Sequence, residues 1–244
     1  ADYSVPASPL VGTWTLADGY AYEFADGQKN ELVGTTITIE QDSQYGAFVY
    51  GTMAQQVAGK LVTKTFTGTL NGFGTGIGNW TTFVDSGGLI FRIGVQDGVL
   101  YATALTVSDT GTEGLVAIER TYTADGSVPV LPDYYQVAGT TWRSTGGETL
   151  TPTGGYADLT DYTLTIDAQY QNLFSGTLTV DGKEYALVGS LEATGTQIGG
   201  RVTVDNGTST PITAMFNGKT LTLYGYVSPD GQAAAFRIVL TLQE

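Results

Sequence analysis

The stretch ADYSVPASP at residues 1–9 returns as ADGSVPVLP at residues 124–132, and this echo decides the organisation of the chain. It does not stand alone. Gly12-Thr13-Trp14 is answered by Gly139-Thr140-Thr141-Trp142, and Thr38-Ile39-Glu40 by Thr165-Ile166-Asp167. Further on, Gly68-Thr69-Leu70 is answered by Gly189-Ser190-Leu191, and Asp97-Gly98 by Asn217-Gly218. The pairs keep their order through a whole half of the chain, as a duplicated unit does and a chance apolar pattern does not. The 244 residues therefore read as a first repeat at 1–123, a connector at 124–137 and a second repeat at 138–244. Pro129 and Pro132 lie in the connector, where they fix φ and remove amide donors, so that stretch is expected to be extended.

Within each repeat the period is two. Val62, Lys64, Phe66, Gly68 and Leu70 share one face of a strand while Thr63, Thr65, Thr67 and Thr69 share the other. The same alternation runs through Leu89, Phe91, Ile93 and Val95, and through Val116, Ile118, Arg120 and Tyr122. In the second repeat it recurs in Tyr162, Leu164 and Ile166 and in Phe236, Ile238, Leu240 and Leu242. Asp97-Gly98, Asp181-Gly182 and Asn217-Gly218 stand between such runs as type I′ hairpin turns, so successive strands pair as neighbours. About eight strands per repeat in a simple meander hide their edges best by closing. The expected fold is all-β, two tandem antiparallel up-and-down β-barrels. The Thr columns read as solvated strand faces, since a twisted barrel offers no flat array for ordering water or ice.

Composition excludes several classes of function. With 24 acidic residues against 10 basic ones, the net charge of −14 repels phosphate backbones, so nucleic acid is not an expected partner. No His and no Cys are present, which removes imidazole and thiolate metal sites, catalytic triads and disulfides. No metal or other cofactor is expected. No segment has the ~20 apolar residues of a membrane helix, and the Thr faces lack the apolar band of a lipid-facing barrel. The expected location is extracellular or at the cell surface, with Ala1-Asp2-Tyr3 following a removed signal peptide.

The Gly-x-Trp near the start of each repeat, followed by an up-and-down meander of this length, resembles the calycin group of avidin-like and lipocalin-like barrels. The resemblance implies that the Trp seals a closed barrel end against a basic side chain of the last strand. Arg120, with the inward parity of Ile118, is the matching residue for Trp14. In the second repeat Leu240 stands in place of Arg120, and Arg237 has outward parity. The likeness does not extend to biotin, since the Asn and Ser cluster of an avidin-like site is replaced after Trp14 by TLADGYAYEF.

The first repeat places two cations, Lys64 and Arg120, on inward faces among Phe66, Phe91, Tyr101 and Tyr122, and buried cations are costly unless paired. The aligned positions of the second repeat are Tyr185 and Leu240. Carboxylates such as Asp85 and Asp97 read as turn residues. Three functions follow as alternatives. The first is a secreted, non-catalytic binding protein whose pocket, lined by Trp14, Lys64, Phe91, Tyr101, Arg120 and Tyr122, takes a small hydrophobic or anionic molecule. The second is a self-assembling structural protein, copies joining head to tail through the duplicated proline segment. The third is a cofactor-free, cyclase-like enzyme in which Tyr or a carboxylate assists a folded substrate.

Overall fold

A computed structural model describes residues 7–57, 59–70, 80–107, 114–150, 153–158, 161–180, 182–192, 197–203, 209–227 and 234–244. Ala1–Pro6 and Asp181 lie outside them, and with them part of the N-terminal proline segment and one of the expected turns. Barrel 1 comprises β1 (Gly12–Glu23), β2 (Gln28–Glu31), β3 (Gly34–Gln41), β4 (Phe48–Val57), β5 (Lys60–Leu70), β6 (Trp80–Asp85), β7 (Ile90–Gln96), β8 (Val99–Val107) and β9 (Leu115–Thr123). Barrel 2 comprises β10 (Thr141–Leu150), β11 (Tyr156–Asp158), β12 (Tyr162–Tyr170), β13 (Leu173–Val180), β14 (Lys183–Leu191), β15 (Gln197–Thr203), β16 (Ser209–Phe216), β17 (Thr220–Val227) and β18 (Ala234–Leu242). In barrel 1 each strand from β3 onward pairs antiparallel with the next, and β1 pairs with both β3 and β9, closing eight strands. Barrel 2 closes in the same way through β10 and β18. By proximity the chain divides into two compact units, Ala1–Ala21 with Lys29–Ala104 and Ile118–Leu131, and Tyr22–Gln28 with Leu105–Ala117 and Pro132–Glu244.

The short strands β2 and β11 go beyond the eight-strand expectation. Their cause is the excess length of the opening strand. β1 pairs with β3 only from Gly12 to Thr15, and β10 with β12 only from Thr141 to Arg143. The remaining half of each opening strand still needs backbone partners. β11 supplies them at Glu148–Leu150, and β2 takes the matching place on β1.

Alternation fills both interiors. The barrel 1 core gathers Ile37, Ile39, Val49, Met53, Phe66, Phe83, Phe91, Ile93, Leu100 and Tyr122, all buried. The rings of Phe66, Phe83 and Phe91 pack at centroid distances of 4.9, 5.8 and 5.9 Å, edge-on or offset as aromatic quadrupoles prefer. Strand-interior glycines make room for these rings. Gly51 is paired directly across from Phe66, Gly68 from Phe83, Gly189 from Phe174 and Gly225 from Phe236, and a Cβ at each glycine would run into the facing ring. The ring lies over its bare cross-strand neighbour.

Two turns differ in kind. Asp97 (φ 51°) and Gly98 (φ 76°) form the expected type I′ turn between β7 and β8. At Asn217-Gly218 only Gly218 has a positive φ, and three residues separate β16 from β17. The Asn217 side chain there accepts the N–H groups of Lys219 and Thr220, so it acts as an Asx cap.

Candidate functional site

The segment leading into β1 seals one end of barrel 1. Leu10 is fully buried in the core, and its carbonyl accepts the Trp14 indole N–H at 3.1 Å. Gln41, at the end of β3, fastens this segment. Its Oε1 accepts the Ser8 N–H at 2.9 Å and its Nε2 donates to the Gly46 carbonyl. Barrel 2 repeats the device: Val137 is buried in its core, and Gln169 accepts the Val137 N–H at 2.7 Å while donating to Tyr135. The proline segments are thus plugs, each clipped by a glutamine whose side chain serves backbone groups left without a strand partner.

Toward the opposite end, the inward faces of barrel 1 turn polar. Lys64 continues the inward parity of Phe66, and its Nζ donates to Asp85 Oδ2 at 2.9 Å. The Asp85 side chain is 2% exposed and that of Lys64 32%. Asp85 stands at the end of β6 with the parity of the core residue Phe83, and its other oxygen accepts the N–H groups of Gly87 and Leu89 at 2.8 and 2.9 Å. Burial pushes the Asp85 pKa up, but the bonds from Lys64, Leu89 and Gly87 outweigh it and hold the carboxyl below its ordinary value. Asp85 is therefore both a turn residue and the counter-ion of Lys64. The turn role hid the second.

Arg120 has no such partner. It is 7% exposed, and its Nη2 donates to Oε1 of Gln55, a neutral amide, at 3.0 Å. Among the described residues no carboxylate pairs with it. Gln55 lies on β4 with the inward parity of Val49 and Met53, whereas β1 and β3 separate β4 from β9, so this bond crosses the interior. Tyr122, one inward position beyond Arg120, is 1% exposed. Burial pushes its hydroxyl pKa up to about 12, against the pull of the Arg120 charge.

The remaining expected site residues divide. Phe91 sits in the aromatic core, and Trp14 packs partly buried against it. The pairing of Trp14 with Arg120 that the calycin resemblance implies does not hold at their polar ends, which go to Leu10 and Gln55. Tyr101 is not on the inward face. Leu100, Ala102 and Ala104 of β8 point into the core, so Tyr101 projects from the other side, where Glu119 and Asp97 join burial in raising its pKa. Gln55 and Asp85 are the partners the sequence reading missed. The signal for both was parity, with Met53 for one and Phe83 for the other.

Barrel 2 offers a comparison within the same chain. Leu240, which the sequence aligns with Arg120, is fully buried, as is Ile238 one inward position before it on β18, and Tyr185, at the place of Lys64, packs against the hydrophobic core. Arg237 lies on the outer face in an ion pair with Glu148, both half exposed. Among the described residues no group of acidic side chains is arranged to hold a metal ion, and no helix is long and apolar enough to cross a membrane.

No protein-family model matches the chain, and no curated protein matches it in sequence. Solved structures share a distant likeness. One is a protein of unknown function from the DUF3598 family of Nostoc punctiforme, at 11% identity over 95% of both chains with a TM-score of 0.37. Another is a proposed outer membrane protein of Bacteroides fragilis, at 12% identity over 95% of this chain and 97% of that one, TM-score 0.38. A third is Transferrin Binding Protein B of Haemophilus parasuis, at 10% identity over 94% of this chain and 45% of that one, TM-score 0.33. At these values none of their properties transfers.

Proposed function

We propose that the protein is a non-catalytic binding protein, calycin-like in architecture and secreted or held at the cell surface. Barrel 1 takes a small anionic molecule at the end opposite its Leu10 plug. One observation carries this reading: among the described residues Arg120 is buried with a single hydrogen bond to a neutral amide, while the matching stretch of the sister barrel buries Ile238 and Leu240. A guanidinium withdrawn from water without a counter-charge is costly, and an anionic ligand supplies that charge when bound. Lys64 is already neutralised by Asp85, so Arg120 is the residue left to receive the ligand. The rings of Phe66, Phe83 and Phe91 belong to the packed core of the same barrel.

The test is calorimetric titration with a panel of small organic anions and their neutral analogues, on the wild type and on Arg120→Met. Anions that bind the wild type, with affinity lost in the variant, bear the proposal out. A wild type that binds nothing on the panel sinks it.

A second reading, head-to-tail assembly, is favoured by the way the connector docks. Thr123 Oγ1 donates to the Ser127 carbonyl, and Gly126 rests against Thr15 of β1, so ADGS is fitted to the end of barrel 1. The matching ADYS at residues 1–4 would fit the end of barrel 2 in another copy. Sedimentation velocity over a wide concentration range checks this, and a strict monomer excludes it.

A further inference from the structure

Resting on the reading of barrel 1 as the binding barrel, we infer that the Gln55 amide oxygen occupies the ligand's own anion position, and that the ligand enters by displacing it with a carboxylate. Among the described residues Gln55 Oε1 is the single acceptor for Arg120, at 3.0 Å, and it reaches the guanidinium from across the barrel. A guanidinium carries a planar fork of five N–H donors suited to two oxygens at once, and one amide oxygen meets a single arm of it. A carboxylate fills two arms and brings the missing negative charge.

The charge balance selects the class of anion. Lys64 and Asp85 cancel, which leaves one positive charge at Arg120. A monoanionic carboxylate neutralises it, whereas a dianionic phosphate would leave an excess negative charge in a barrel end that already holds Asp85. The released Gln55 amide then offers its N–H₂ to the bound carboxylate, so Gln55 changes from stand-in to specificity-determining residue.

Two substitutions at Gln55 separate this from a merely structural bond. Gln55→Glu builds the carboxylate into the chain, so the site becomes self-liganded. Gln55→Leu removes the stand-in without replacing it. With benzoate as probe, and benzamide and phenyl phosphate as controls, the wild type is expected to bind benzoate in preference to both. Arg120→Met and Gln55→Glu each lose about tenfold or more in benzoate affinity. Gln55→Glu also unfolds at higher urea concentration than the wild type, a readout that needs no ligand and that fails if the variant does not fold. Gln55→Leu vacates the anion position but forfeits the amide donor, so it binds benzoate a few-fold more weakly than the wild type and well above Gln55→Glu.

Benzoate binding that is unchanged in Gln55→Glu, or a urea midpoint for that variant at or below the wild type, overturns the inference. Preference for phenyl phosphate over benzoate overturns it too. Where the wild type still binds benzoate or phenyl phosphate in those cases, the broader reading stands. A wild type that binds none of the three probes, with Gln55→Glu stabilised, sinks the binding reading itself.

Discussion

Replacing Arg120 with methionine is expected to make the protein more stable, and replacing Lys64 with methionine less stable. Both residues are inward cations of the same barrel, so the opposite signs are the test. Arg120 is 93% removed from water, and holding an ion there costs several kcal/mol after relaxation. Its return is one charge-assisted bond to Gln55, worth about 1.5–3 kcal/mol. Methionine has a similar reach and packs without the desolvation cost, and the half-buried Gln55 loses about 1 kcal/mol at most because water can reach it. The net gain is about 1–2 kcal/mol. For Lys64 the ledger reverses. Its removal strands the buried Asp85 carboxylate, a class of change that costs about 3–5 kcal/mol. Because Lys64 is a third exposed and Asp85 keeps the Gly87 and Leu89 N–H groups, the expected loss is nearer 2–3 kcal/mol. Urea unfolding near neutral pH, followed by tryptophan fluorescence in a Trp142→Phe background, reads this, since Trp14 then reports on barrel 1. An Arg120→Met variant that loses more than about 1 kcal/mol would show that the barrel needs its guanidinium, and the argument for a ligand would fall with it.

The depressed Asp85 pKa adds an acid limb to the stability curve. Its contribution is complete above the unfolded carboxylate value near pH 4 and is lost as the pH falls through the lower folded value, so melting temperatures of Asp85→Asn should show a shallower decline from pH 5 to 2 than the wild type. Tyr122 does the reverse at the alkaline end. Its folded pKa of about 12 exceeds the free value near 10, so its contribution is present below pH 10 and is lost as the pH rises through 12; tyrosinate absorbance should show a late-titrating hydroxyl that Tyr122→Phe removes and that titrates later still in Arg120→Met, where the charge that lowers it is gone. Gly189→Ala drives a methyl into the Phe174 ring and should cost about 1–3 kcal/mol, with much of the loss recovered in the Gly189→Ala, Phe174→Leu double variant; additive losses in urea unfolding would show that the ring and the glycine are not coupled.

How far the sequence could be read depended on which signal each residue carried. The duplication and the barrels were legible because alternation and Asp-Gly turns act locally, and every strand repeats the same two-face rule. The inward placement of Lys64 and Arg120 followed from Phe66 and Tyr122, two positions away on the same strands. Tyr101 misled because size was weighed above register. With Phe66, Phe83 and Phe91 filling the middle of the barrel, β8 contributes the small Ala102 and Ala104 to the core, and its aromatic turns outward. Asp85 misled because an aspartate before Ser-Gly-Gly satisfies turn chemistry completely, and local sufficiency hid its long-range partner on β5. Gln55 carried no charge and no motif. Only a bond across the barrel, between strands 65 residues apart, gives it a role.

Barrel 2 decides how that bond is to be understood. The two copies share closure through the opening strand, the glutamine clip, the buried plug and the Phe–Gly pairs, so their common architecture is the part the fold requires. On the matching stretch of its last strand the second copy buries Ile238 and Leu240, and it closes as the first does. A buried cation in the first copy is therefore not demanded by the barrel. Where one copy of a duplicated scaffold departs from the apolar pattern and keeps a group that the other does without, the departure points to function rather than to folding. In this chain the Lys64–Asp85 departure is balanced within itself, and the one left without a counter-charge among the described residues is the Arg120 guanidinium facing the Gln55 amide.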